Sequence, residues 1–424
     1  MATETGCVRC ARAWADGHTS CPACGRAPGG LERSAGTDPL LGQLVGNRFR
    51  VLDALTRLGA LTQIEIAEQT GLSPATVSNV VKELGSAGVV ELTPSVRNGR
   101  RAVSVSLATP DGILGAIVFG DRDVRAAVAG TPDRVVASSR MPLPAEHAAD
   151  EGLERGATLL FDLVERSGHS PPELVAVGLG VPAPIDTVSG QIGAAGILPG
   201  WRGIEIADAA AASLKAPVLL DNTANLATLG EMNSGALQGI SDAVHVKMSY
   251  GVGAGLVVNG QLVRGSAGTA GEIGHISIDD KGAVCRCGNR GCLDTVVGSA
   301  AILEALRPSH GMLTLRDVIS KALAGDPGCR RVLADAGESL GLALSAVVNL
   351  LNPEVISIGG QMARLGPLLI DPVRRAIERR ALPSAASSVF VRAGDLGEES
   401  DVVGALVLAR EVQDNAQRAA LAVT

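Results

Sequence analysis

Residues 264–294 read RGSAGTAGEIGHISIDDKGAVCRCGNRGCLD, and this stretch carries the most specific chemistry in the chain. His275 is followed by Cys285, Cys287 and Cys292. Three thiolates and one imidazole make a closed tetrahedral zinc site, with no position left open for catalysis. Such a site is structural: it pins a loop that has few apolar anchors. The chain has eight cysteines, and seven fall in clusters of metal-ligand spacing rather than in a disulfide framework. Cys329 stands alone and reads as a small buried hydrophobe.

Working outward, the residues around this stretch alternate between short apolar runs and helical patterns. Strand-like runs fall at 113–119, 124–130, 134–139, 174–180, 217–220, 243–248, 255–258 and 355–358, with helices between most of them. That alternation predicts an α/β domain around a central sheet, covering 110–424. A length of 424 residues accommodates two or three domains. No run of about 20 apolar residues suggests a membrane span, and Met1–Cys10 holds no apolar signal core. The expected location is therefore the cytoplasm. The net charge of −7 argues against a protein coated by nucleic acid but allows a locally basic DNA-binding module. Aromatic content of 2% leaves base-stacking recognition of single strands poorly supported.

The motifs Glu272-Ile-Gly-His275 and Cys285-x-Cys-Gly-x-x-Gly-Cys-Leu293 together resemble the ROK family of repressors, open reading frames and sugar kinases. Further matching segments are GLGVPAPID (178–186), LPGW (198–201), NTANLATLGE (222–231), GVGAGLVVNG (251–260) and NPEVISIGG (352–360), so the resemblance covers about 41–410. It implies a two-lobed, actin-like ATPase fold with a sugar site in the cleft, and dimers or tetramers. It also implies that Asn222, Glu272 and His275 sit at or near sugar hydroxyls, with Asp294 standing where the family usually has Glu. Ile197 stands where the family often has Asn, which removes an amide from the cleft.

Kinases of this type need one carboxylate to manage Mg²⁺ and phosphates, and a second to take the proton from the sugar hydroxyl. By the resemblance, Val118 occupies the first position and Thr223 the second. A valine binds no metal, and a threonine hydroxyl is far too weak a base at neutral pH. Loss of a general base alone typically costs ~10²–10⁴-fold in rate. No catalytic residue is therefore assigned. Asp121 and Asp123 are expected in the turn beyond the first strand, and Asp221 just precedes the second motif. Gly251, Gly253 and Gly255 resemble a phosphate loop but serve equally as a tight strand turn.

Upstream lies LTQIEIAEQTGLSPATVSNVVKELGSAGVVE (61–91). Ile64, Ile66, Ala67, Leu72, Val77, Val80, Val81 and Leu84 fall at helical spacing across two helices, with Gly71 at the turn. Ser73 is the N-cap candidate and Pro74 suits the first helical position. The second helix then offers Ala75, Thr76, Ser78 and Asn79 to base edges in a major groove, and Lys82 to phosphate. Arg97, Arg100 and Arg101 belong at the tip of a two-stranded wing, where they can enter a minor groove or clamp phosphates. Residues 41–109 thus read as a winged helix-turn-helix.

Cys7-x2-Cys10-x10-Cys21-x2-Cys24 is a zinc-ribbon or knuckle pattern within 1–30, where zinc would replace a missing core. The expected whole is a zinc ribbon, a winged helix-turn-helix and an α/β actin-like domain. Its expected function is regulation, with repression as the sign, of carbohydrate-related genes. Its expected partners are double-stranded operator DNA, a sugar or sugar-derived effector and a second copy of the chain. The alternative is an active ATP-dependent sugar kinase with an appended DNA-binding domain.

Overall fold

The computed structural model describes residues 47, 48, 50–52, 54, 55, 58–86, 89–97, 100–107, 112–131, 134–144, 147–186, 189–193 and 198–423. The Cys7, Cys10, Cys21 and Cys24 ribbon and Ile197 lie outside the described residues. The chain divides into two compact units between residues 108 and 109.

In the first unit, helical residues between 47 and 58 bury Val51, Leu52, Ala54 and Leu55. Strand β1 (Leu61–Thr62) leads into α1 (Gln63–Thr70) and then α2 (Pro74–Ser86). Thr62 and Glu65 form a reciprocal capping box: each side chain bonds the other's backbone N–H, at 3.3 and 2.7 Å. Gly71 ends α1 at φ 67°, a left-handed turn that side chains with a Cβ rarely take. Ile66, Val77, Val80, Val81 and Leu84 are buried as their spacing requires. Ile64 departs from that expectation and is 70% exposed. Two residues of helix turn it about 200° from Ile66, onto the opposite face. Strands β2 (Val90–Arg97) and β3 (Arg100–Leu107) form the hairpin, and β1 pairs with β3, so the expected two-stranded wing is a three-stranded sheet.

The second unit contains two five-stranded sheets with one topology used twice. The first is ordered β6-β5-β4-β7-β8. It consists of β4 (Ile113–Phe119), β5 (Asp123–Thr131), β6 (Arg134–Pro142), β7 (Leu174–Val181) and β8 (Val218–Asn222). The other is ordered β11-β10-β9-β12-β13. Its strands are β9 (Ala243–Met248), β10 (Val252–Val258), β11 (Gln261–Val263), β12 (Val355–Gly359) and β13 (Phe390–Ala393). In each, an antiparallel meander is extended by two parallel strands. Central strand β4 is buried along its whole length, which explains its unbroken apolar sequence.

Ile113, Ile117 and Phe119 of β4 face α3 (Ala149–Arg166) and the helix Ile206–Leu214. Leu114, Ala116 and Val118 face α4 (Thr223–Ser234) and α7 (Ser400–Val423). The second sheet packs on α5 (Pro327–Leu351) and α6 (Pro367–Arg380). Helix α5 is long and apolar enough to cross a membrane, yet Leu333, Leu340, Leu344 and Val348 are buried in this core. Helices α4 and α7 cross at glycines. A Cβ on Gly404 would lie 1.7 Å from the Leu226 carbonyl oxygen, and one on Gly230 would lie 2.1 Å from that of Ser400.

Candidate functional sites: a capped recognition helix, a polar cleft and a thiol–imidazole cluster

Helix α2 starts where its sequence says it should. The Ser73 hydroxyl accepts from the Thr76 N–H at 3.1 Å, and Pro74 occupies the first helical position. With Val77, Val80, Val81 and Leu84 buried, the opposite face presents Ser73, Ala75, Ser78, Asn79 and Lys82 to solvent. Thr76 is half-buried, and its hydroxyl lies 2.8 Å from that of Ser73. Arg97 and Arg100 pair in register at the closing end of the hairpin, and Arg101 follows in β3.

In the second unit, a cleft of about 150 Å³ opens at the carboxyl ends of β8, β9 and β12. That is where open α/β sheets place their ligands. One part of its lining is the expected set Asn222, Glu272, His275 and Asp294. The sequence folds to deliver them as follows. Asn222 ends β8 and caps α4, accepting from the Ala224 N–H at 2.6 Å, while its amide donates to Glu272 Oε1 at 3.3 Å. Asp294 accepts from the Val252 N–H at 3.1 Å and lies 3.6 Å from Arg286, which ties the 264–294 loop to β10. Burial, with Asp294 nearby, pushes the Glu272 carboxyl up to about 7. Near neutrality Glu272 therefore divides between a donor and an acceptor form, both suited to hydroxyls. Burial holds the His275 imidazole below its ordinary value, so it is neutral and able to ligate a metal.

His275, Cys285, Cys287 and Cys292 converge, with all four ligand atoms within 4.8 Å of one another. Cys287 and Cys292 sulfurs are 3.7 Å apart, and Cys285 Sγ is 3.6 Å from His275 Nδ1. A disulfide needs about 2.05 Å. A tetrahedron with metal bonds of about 2.3 Å to sulfur and about 2.05 Å to nitrogen has edges of about 3.8 and 3.6 Å, so the group fits zinc. Burial and the neighbouring thiols push Cys292 up to about 12, a crowding that a divalent cation relieves. His275 Nε2, the other ring nitrogen, is 3.8 Å from Glu272 Oε2. A single imidazole thus links the thiol cluster to the cleft.

Val118 and Thr223 stand where the sequence reading expects the two carboxylates. Val118 is fully buried in the β4–α7 core. Thr223 opens α4 at the cleft wall. Asp221 is not a cleft residue. Its carboxylate takes Arg264 Nε at 2.8 Å, Asn225 Nδ2 at 2.8 Å and the Asn222 N–H at 2.7 Å, so it is committed to holding the loop and the helix. Asp121 lies in the turn as expected, whereas Asp123 is already the first residue of β5 and pairs with Arg140. Gly251 forms the β9–β10 turn, but Gly255 lies in β10, where a Cβ would be 2.0 Å from the Thr228 hydroxyl. Its absence of a side chain serves the packing of α4 on the strand.

Arg125, Lys247, Glu398 and Asp401 also line the cleft, and sequence reasoning passed them over. They come from β5, β9 and the segment entering α7, and no local spacing signals that they meet. Glu231 is a further buried carboxylate, accepting from the N–H groups of Ala236, Asp395 and Leu396 at 2.7, 3.1 and 3.0 Å. It fixes the chain just ahead of Glu398.

Comparison with known proteins gives a ROK family match over residues 114–412 and a MarR family match over 43–101. The glucokinase of Halalkalibacterium halodurans is 36% identical over 59% of this chain and 82% of its own length. The xylose repressor of Caldicellulosiruptor bescii is 28% identical over 88% of this chain and 97% of its own. A crystal structure described as a ROK family transcriptional regulator, homologous to the Escherichia coli MLC protein, superposes with a TM-score of 0.73. It is 23% identical and covers 88% of this chain and 98% of its own, which establishes the shared fold.

Proposed function

The chain belongs to the ROK family, and from that premise we propose that it is a DNA-binding transcriptional regulator, a repressor of carbohydrate-related genes. Its cleft senses a sugar or sugar-derived ligand without phosphorylating it. The observation that carries this reading is an exposed, capped recognition helix in a chain that also has a polar cleft, with Val118 in the core beneath it and Thr223 at its wall where the resemblance expects carboxylates. The xylose repressor matches along nearly the whole chain, while the glucokinase match spans 59% of it.

On DNA, Ser73, Ala75, Thr76, Ser78 and Asn79 address base edges. Lys82 meets phosphate, and Arg97, Arg100 and Arg101 contact the flanking minor groove or backbone. In the cleft, Asn222 and Glu272 hydrogen-bond ligand hydroxyls, joined by His275 Nε2 and the Asp294 carboxylate. A ligand alters operator affinity only if it binds the two states of the protein unequally. As a homodimer or homotetramer acting in the cytoplasm, the protein reads two half-sites about one or more helical turns apart. His275, Cys285, Cys287 and Cys292 hold a structural zinc, which cross-links the loop that carries Glu272. Cys7, Cys10, Cys21 and Cys24 hold a second.

The kinase reading needs Asp221 or Asp123 to replace the lost carboxylates, and both are engaged by arginines. The test combines the full-length protein with ATP, Mg²⁺ and a panel of sugars while binding to its own promoter fragment is followed. The expected result is promoter binding that shifts with one sugar and no ADP formed. Steady, sugar-dependent ADP release abolished by Asp221→Ala would establish the kinase instead.

A further inference from the structure

Two cations reach into the inner cleft from two different sheets. Arg125 Nη2, from β5, and Lys247 Nζ, from β9, both contact Asp401 Oδ2, at 2.7 and 2.8 Å. Asp401 lies in the first turn of α7 and has no exposed side-chain surface, while Arg125 and Lys247 side chains are 15% and 13% exposed. Arg125 also donates to the Glu398 carbonyl at 2.6 Å, which fixes its fork. Oδ1 of Asp401 has no hydrogen-bond partner. The carboxylate is held by the charges around it, with the helix N-terminus adding to them.

Without Asp401, a guanidinium and an ammonium converging on one buried point would form an oxyanion site for a phosphoryl group. The chain fills that point itself. We propose that Asp401 is a specificity determinant of the cleft: a resident counter-ion that occupies the oxyanion position between Arg125 and Lys247, rejects phosphorylated ligands and reserves the cleft for neutral ones. This rests on the reading of the cleft as a ligand sensor. An incoming oxyanion must displace a carboxylate tethered at high effective concentration. It must also leave that carboxylate buried without a partner. The wider lining adds to the barrier, since beyond these three residues five carboxylates face two arginines. A neutral polyol meets neither obstacle.

The experiment measures binding of inorganic pyrophosphate to the full-length protein by calorimetry and thermal unfolding, in the wild type, Asp401→Asn and Asp401→Gly. The wild type should show no saturable binding. A folded Asp401 variant should gain saturable binding, at least tenfold tighter than the weakest affinity the titration resolves, and Lys247→Met in that background should abolish the gain. Asp401→Gly provides the comparison if Asp401→Asn does not fold. Wild-type binding as tight as that of the variants overturns the proposal, as does a folded variant that gains nothing. Pyrophosphate binding by the wild type without ADP release from ATP sinks this inference alone, whereas sugar-dependent ADP release sinks the sensor reading beneath it.

Discussion

His245 on β9 should make the stability of the second unit depend on pH in a way that one substitution removes. Its ring has no exposed surface. Nδ1 lies 2.7 Å from the Ser357 hydroxyl, and Nε2 has no partner. The backbone at Gly359 presses against the ring, since a Cβ there would lie 2.5 Å from Cε1. Burial, reinforced by Lys247, pulls the imidazole from its ordinary 6.5 down to about 3. The native state therefore declines a proton that the unfolded chain accepts. Such a group contributes its full stability above about pH 6.5 and loses it progressively as pH falls towards 3. At pH 5.0 the unfolded chain gains about 2 kcal/mol from protonation of this residue, against about 0.1 kcal/mol at pH 7.5. His245→Asn keeps a polar group facing Ser357 and removes the titration. Its packing cost is nearly the same at both pH values, so the difference isolates the proton. Urea unfolding of both proteins, followed by circular dichroism, should show the variant's deficit shrinking by about 2 kcal/mol between pH 7.5 and 5.0. An unchanged deficit would mean that the native ring is protonated as readily as the unfolded one, and the account of its burial would be wrong.

Cys292→Ser should lower zinc content by one ion per chain in mass spectrometry of the native protein, while Cys7→Ser leaves that ion in place. Equal zinc in Cys292→Ser and the wild type would remove the metal from the loop. Asn79→Ala should cost about 1–3 kcal/mol of operator binding and relax sequence preference. Lys82→Ala should weaken all sequences alike and reduce the salt dependence by about one unit. Titrations at several salt concentrations separate the two, and identical behaviour would refute the division of roles along α2. Gly404→Ala should destabilise the second unit by about 1–3 kcal/mol or more, because the new methyl meets a backbone carbonyl in a helix crossing rather than a movable side chain. An unchanged melting temperature would show that α4 and α7 do not cross so closely.

Some features were legible because their causes are local. The left-handed Gly71 and the Ser73 cap each depend on residues a few positions apart. The same holds for the cysteines of the 264–294 loop, whose spacing is itself the chemistry. Most strands were legible from their apolar runs, but β1, β11 and β13 were not. All three are short and lie at sheet edges, where few apolar residues are needed. Ile64 misled because two positions from Ile66 the helix has turned about 200°, so the two isoleucines cannot share a face.

The sequence by itself determined the helix-turn-helix, most of the strands and the His275–Cys292 ligand set, since each follows from residue type and near spacing, while the resemblance pointed to Val118 and Thr223. The tertiary structure alone decided that one strand order, an antiparallel meander extended by two parallel strands, is used twice. It alone placed Asp221 under Arg264 and outside the cleft. It alone brought Arg125, Lys247 and Asp401 to one point. These three come from separate elements of the chain. Their meeting is set by how two sheets and α7 pack, a matter of long-range burial that leaves no periodicity in the sequence.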